Sequence, residues 1–268
     1  MTASVPWAGG AIRTVNGGIA RHPIGAYLFL AFAFSWSLTA LLSVSIMFGL
    51  LALFGPALAA VLVSAADGTS GELRRRITNW RQSPSSYLAA FGIPFAVAGV
   101  ALVAYVVLGH PAPGIGSISA IEILIFGLVI GEEIGWRGFL MPRLRARFSL
   151  PAAGVITGIV WALWHLPIYL VPGQSAAAFI VFAWWVVPFA VVMGFVAERA
   201  RYSVVVATVM HGAANIALPI LLPNVDHTWT SLVTGTVYMV LAVSLVAIAW
   251  SRSARPSAPQ FDQKEVAA

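Results

Sequence analysis

Two glutamates stand side by side in an apolar run, GEEIGWRGFL, with Arg137 four residues after the second. An ionisable group inside such a run is costly, so each needs a partner or a task. Glu133 and Arg137 share a helix face at that spacing and can pair, which keeps both charged in apolar surroundings. A purely structural ion pair satisfies the same facts. Glu132 is turned about 100° away on the same helix, so Arg137 cannot serve both acids equally and Glu132 must find a partner elsewhere. A carboxyl held out of water takes up a proton more readily, as a general base must. A protonated structural carboxyl bonded to a backbone carbonyl is the plain alternative.

Three more polar groups lie in apolar runs. His165 closes the segment VWALWHLP, and His211 and Asn215 stand four apart in HGAAN, on one helix face. Each can be read as glue between helices. Together, His211 and Asn215 can also present two donors to a developing oxyanion. At the rise of an α-helix, Glu132 lies about 16 Å inward from Arg143, His211 about 12 Å from Ser203 and His165 about 21 Å from Pro151. Three helices therefore bring a carboxylate, two imidazoles and an amide to overlapping depths, in a pocket expected to open toward the arginine-bearing side. Such a set can activate water.

The elements that carry these residues follow from composition. Of 268 residues, 60% are apolar and only 9% charged, against roughly a quarter charged in a soluble domain. Mean hydropathy is +0.90. The reading is an all-α membrane protein, a bundle of about eight helices around a polar intramembrane cavity. The expected spans are Ile24–Leu42, Ile46–Ala66, Tyr87–Leu108, Ile118–Leu140, Ala152–Leu170, Ala177–Ala197, Val204–Leu222 and Ser231–Trp250. Residues 1–22 read as a cytoplasmic N-terminal segment without a cleavage signal, 23–251 as the membrane domain and 252–268 as a disordered cytoplasmic tail. The first span is then an uncleaved anchor.

The cations test this division. Arg13 and Arg21, then Arg74, Arg75, Arg76 and Arg81, then Arg143, Arg145 and Arg147, then Arg199 and Arg201, then Arg252, Arg255 and Lys264 all fall on one side if both termini are cytoplasmic. The alternate loops hold neither Lys nor Arg, as the positive-inside rule requires. The formal charge of +6 thus reads as orientation, with no nucleic acid as partner. The absence of cysteine excludes thiol nucleophiles, thiolate metal sites and disulfides. Gly127, Gly131 and Gly135 recur every four residues, so a neighbouring backbone is expected close to Glu132. Glu122 and Glu198 read as interfacial.

The motifs resemble those of the CAAX-protease and bacteriocin-processing family, also called CPBP or Abi. GEEIGWRGFL is similar to its EExxxR motif, WALWH (Trp161–His165) to its aromatic-x-x-x-His motif, and HGAAN (His211–Asn215) to its HxxxN motif. The second motif usually begins with Phe. Trp161 stands there instead, a departure expected to alter pocket shape more than chemistry. The resemblance covers about residues 118–222. It implies an eight-helix intramembrane endopeptidase in a bacterial plasma membrane, acting on membrane-associated peptides or proteins, with type II CAAX prenyl endopeptidases among its relatives. By motif, Glu132 would activate water with His165 assisting, His211 and Asn215 would form the oxyanion hole, and Glu133, Arg137 and Trp161 would shape the site.

Relatives are often labelled metalloproteases. The chain has no HExxH, and a catalytic zinc usually takes three protein ligands. His165, His211 and Glu132 would have to supply them, so ligand count favours a mechanism without metal. A peptide-binding immunity protein that does not cut, and a transporter, are the readings from other classes. The full Glu, His, His, Asn set favours the enzyme, and neither broken repeats nor inverted halves are evident.

Overall fold

The computed structural model describes Gly18, residues 20–171, Gly173 and residues 175–253. Most of the expected N-terminal segment, and the tail from residue 254, lie outside the described residues. Among the described residues every regular element is helical, and the chain forms a helical membrane bundle. The helix α1 spans Pro23–Thr39, α2 Ile46–Ala52, α3 Gly55–Ala66, α4 Ser70–Thr78 and α5 Pro84–Val107. Next come α6 Ala120–Leu128, α7 Ile130–Gly135, a π-helical turn Trp136–Leu140, and α8 Met141–Arg145. The chain continues with α9 Leu150–Trp164, α10 Leu166–Tyr169, α11 Ala176–Arg199, α12 Val204–Leu221 and α13 His227–Ser253.

Each expected span has a helical counterpart. Five are long and apolar enough to cross a membrane by length and composition: the α2–α3 run, α5, α11, α12 and α13. The α1 helix and α9 are shorter, at 17 and 15 residues. The α9 helix stops before the expected Leu170 because Pro167 cannot donate to the carbonyl four residues back, and the chain re-forms as the single turn α10. The fourth segment is longer than expected, running from Ala120 to Arg145 with a break at Val129. Its start is a capping box in which Ser119 and Glu122 satisfy each other's backbone N–H groups. That gives Glu122 a structural task outside the site.

The π-turn has a local cause. Pro142 brings no N–H, so the carbonyl of Gly138 loses its α-helical donor. The N–H of Met141 reaches back to Trp136 O, and Arg76 of α4 donates to Gly138 O at 3.0 Å. Burial lowers the pKa of Arg76 from the free arginine range, partly offset by Glu72.

Bonds across the chain gather the arginine loops at one end. Arg143 reaches Asp67 at 2.8 Å, Arg145 reaches Glu198 at 2.8 Å, and Ser203 donates to Asn79 O at 2.6 Å. At the other end Gly116 N–H donates to Ile220 O at 2.8 Å, and Tyr105 packs against both His110 and Trp229. Between these ends α9 lies along α11, α11 along α13, α12 along α5, and α1 and α7 on α3. The glycine expectation holds in two places of three. A Cβ at Gly131 would come 2.8 Å from Leu53 O and one at Gly135 2.4 Å from the Pro56 Cβ, whereas one at Gly127 would meet nothing.

Candidate active site

The ion pair forms as its spacing predicts. Arg137 Nη1 donates to both carboxylate oxygens of Glu133, at 2.9 and 3.2 Å. Both side chains are fully enclosed, at 1% and 0% exposure. A third partner comes from α12, where His211 Nδ1 lies 2.9 Å from Glu133 Oε1. A carboxylate oxygen only accepts, so Nδ1 carries the proton and Nε2 points away from Glu133. Glu133 is thus saturated by a guanidinium and an imidazole.

Glu132 has different company. Its Oε2 accepts from the indole Nε1–H of Trp161 at 2.7 Å, a bond between two buried side chains from α7 and α9. Two adjacent acids on one helical turn therefore face separate environments, one paired with a cation and one held by a neutral donor.

Trp161 is the hub of the set. The guanidinium carbon of Arg137 sits 4.4 Å from its ring centre, a cation–π contact. Its ring meets that of His211 edge-on at 4.9 Å. Its carbonyl takes the hydrogen bond of His165 Nδ1 at 2.9 Å, so His165 also holds its proton on Nδ1 and keeps Nε2 free. The expectation that tryptophan changes shape more than chemistry is corrected here. The Nε1–H, which phenylalanine lacks, is the donor to Glu132.

Two placements differ from the sequence reading. The carboxylates are closed off, with Glu132 2% and Glu133 0% exposed, because Trp136, Trp161 and Phe139 fill the space around them. His165, at the end of α9, is the part-exposed member, set against Trp164 and Phe182. Asn215 lies one turn beyond His211 and lines a cavity of about 310 Å³ with Trp185, Tyr238, Asn224 and Thr234. None of the acids or histidines of the cluster lines that cavity. The four-residue spacing puts His211 and Asn215 on one face, but α12 passes from the cluster to this cavity within that turn.

Tyr27 of α1 escapes sequence reasoning. It is fully buried against Trp136 and Phe139, and its hydroxyl has no hydrogen-bond partner among the described residues. A Cβ at Gly135 would come 2.5 Å from that hydroxyl, which is why the turn after Glu133 carries glycine. One buried tyrosine in an apolar helix gives no periodic signal.

The donor set does not fit a metal. Among the described residues no three His, Cys, Asp or Glu side chains are grouped to hold one. His211 spends Nδ1 on Glu133, and Glu132 spends an oxygen on Trp161.

Residues 114–217 match the family described as type II CAAX prenyl endopeptidase Rce1-like. This segment is Rce1-like. It holds all three motifs and all seven residues Glu132, Glu133, Arg137, Trp161, His165, His211 and Asn215, and its limits lie close to the 118–222 read from the motifs. The chain is also 28% identical over 124 residues to CAAX prenyl protease 2 of Methanococcus maripaludis, covering 43% of this chain and 45% of that protein. The matched stretch thus spans less than half the length of this relative. The Rce1-like segment begins in the loop before α6 and ends inside α12, so the first five helices and α13 enclose it without sharing the match.

Proposed function

We propose that the chain is an intramembrane endopeptidase that hydrolyses peptide bonds of membrane-associated substrates, prenylated CAAX-type C-termini being the first class to test. The observation that carries this is the unequal treatment of Glu132 and Glu133. Glu133 is neutralised by Arg137 and oriented by His211, and it in turn fixes the His211 ring. Glu132 has no cation bonded to it and a single neutral donor, which leaves carboxylate lone pairs to take a proton from water.

In this mechanism Glu132 removes the proton as water attacks the scissile carbonyl. His165, with Nε2 free, accepts or returns a proton on the exposed side of the cluster. His211 donates to the oxyanion from Nε2 only when it carries both ring protons, and the Glu133 carboxylate beneath it compensates that charge. Asn215 can join only if substrate or a helix shift brings its amide round from the neighbouring cavity. Access lies on the His165 side, since the acids themselves are enclosed. We also propose that the arginine-bearing end and both termini face the cytoplasm, by the positive-inside rule.

The test is turnover of a farnesylated CAAX peptide by the purified full chain, reading release of the C-terminal tripeptide. Glu132→Gln keeps shape and removes basicity. It should lower turnover at least about a hundredfold while leaving thermal stability nearly unchanged. Near-normal turnover by Glu132→Gln removes Glu132 from the role. If wild type cuts neither this peptide nor any native membrane protein, read as new C-termini in membrane proteomes, the non-catalytic peptide-binding reading replaces the enzyme.

A further inference from the structure

We infer that the chain carries a binding site for one anionic phospholipid, separate from the acid–histidine cluster. At the arginine end, a pocket of about 470 Å³ is lined by Arg81, Arg199 and Arg201 together with the polar side chains Asn79, Gln82 and Ser83. No carboxylate lines it. Among the described residues none of the three guanidiniums makes an ion pair, and Arg81 only lies over the Trp80 ring at 5.0 Å. Three like charges converging on one pocket repel each other, and an anion there relieves that repulsion. The adjoining cavity shows the contrast: it holds Arg75, Arg76 and Arg201 but also Glu72 and Glu198, so its charge is compensated.

The backbone supports the same convergence. Arg201 and Tyr202 both adopt positive φ, 53° and 57°, an unfavourable conformation for residues with a Cβ. This tight α11–α12 turn sets Arg201 beside Arg199 on the pocket wall, where glycine would have made the turn without bringing a charge.

The apolar continuation decides between a lipid and a free phosphate. Arg199 also lines a groove of about 450 Å³ formed by α5, α11 and α13, with Ile93, Val192, Phe195, Leu245 and Ile248 on its walls. Its one carboxylate, Glu198, is bonded to Arg145. A cationic pocket that shares a residue with an apolar groove running along membrane helices matches a phosphate headgroup with an acyl chain below it. Free phosphate has no use for the groove.

The test measures lipid retained by the purified full chain in native mass spectrometry, and thermal stability with added lipid. The probes are phosphatidylglycerol, phosphatidylcholine with the same chains, and inorganic phosphate. Phosphatidylglycerol should be retained and should stabilise, and the other two should not. The triple variant R81Q/R199Q/R201Q should lose retention by about fivefold for each guanidinium removed, the scale of one cation at an anionic surface. The control R74Q/R75Q/R147Q, with the same net charge, should keep it. Ala249→Trp, which fills the groove, should weaken phosphatidylglycerol. Equal retention of the two lipids, or equal loss in both triple variants, overturns the site as generic surface attraction. Protection by inorganic phosphate equal to that by phosphatidylglycerol overturns the lipid in favour of a free anion. Should the triple variant misfold, the comparison of probes on the unaltered chain and the single variant Arg81→Gln still decide the matter.

Discussion

Replacing Trp161 by phenylalanine removes one N–H and leaves an aromatic ring in the same slot. The lost bond is 2.7 Å long, with donor and acceptor both buried. A hydrogen bond to a charged acceptor contributes about 1.5–3 kcal/mol. Phenylalanine still covers the Arg137 guanidinium, but a Trp ring does so better, and that difference adds about 0.5 kcal/mol. Stability should therefore fall by about 2–3.5 kcal/mol. If the indole holds Glu132 in its working orientation, the same bond appears in turnover as a loss of about 10–100-fold, at 1.36 kcal/mol per decade. The assay is a double-mutant cycle between Trp161→Phe and Glu132→Ala, read by thermal unfolding in detergent, with turnover of Trp161→Phe alone in parallel. Coupling of at least about 1.5 kcal/mol is expected. Additive effects, within about 0.5 kcal/mol, would refute the claim that tryptophan acts through Glu132. Normal turnover in Trp161→Phe would make its N–H merely structural.

Glu133→Gln strips Arg137 of its partner at full burial, so stability should drop by about 3–5 kcal/mol, in contrast to Glu132→Gln; equal unfolding temperatures for the two variants would contradict the division of roles. Gly135→Ala should destabilise by about 1–3 kcal/mol because its Cβ meets Pro56 and Tyr27. Gly127→Ala, facing open space, should be neutral or gain up to about 1 kcal/mol, and urea or thermal melts compare them directly. Reporter fusions at Ser83 should read inside and at Asn224 outside, and an outside signal at Ser83 would break the orientation.

Much of the bundle was legible because apolar runs and arginine loops alternate, and both are properties of short windows. The Glu133–Arg137 pair was legible for the same reason, since four residues along a helix fix a shared face. What failed was anything decided by how two helices approach. Spacing says that His211 and Asn215 face one way, but the angle of α12 against α5 and α7 decides that only His211 reaches Glu133. A tryptophan in a motif announces a ring, and where its N–H points depends on the roll of α9. The end of α9 at His165 was readable from Pro167. The π-turn required knowing that the carbonyl freed by Pro142 would find Arg76, 62 residues earlier.

That π-turn accommodates one residue more than a regular α-helical turn would between Glu133 and Arg143. Removing any single residue from 136–140 lets the rod relax to regular α geometry. Everything after the deletion then rotates by about 100° relative to what precedes it. Arg143 would swing off Asp67 and Thr69, which it now holds at 2.8 and 2.7 Å. The length of this helix is therefore quantised: natural relatives with the same acid pair and the same arginine end should show no single-residue gaps between them, while insertions in the loop before Ser119 cost the register nothing.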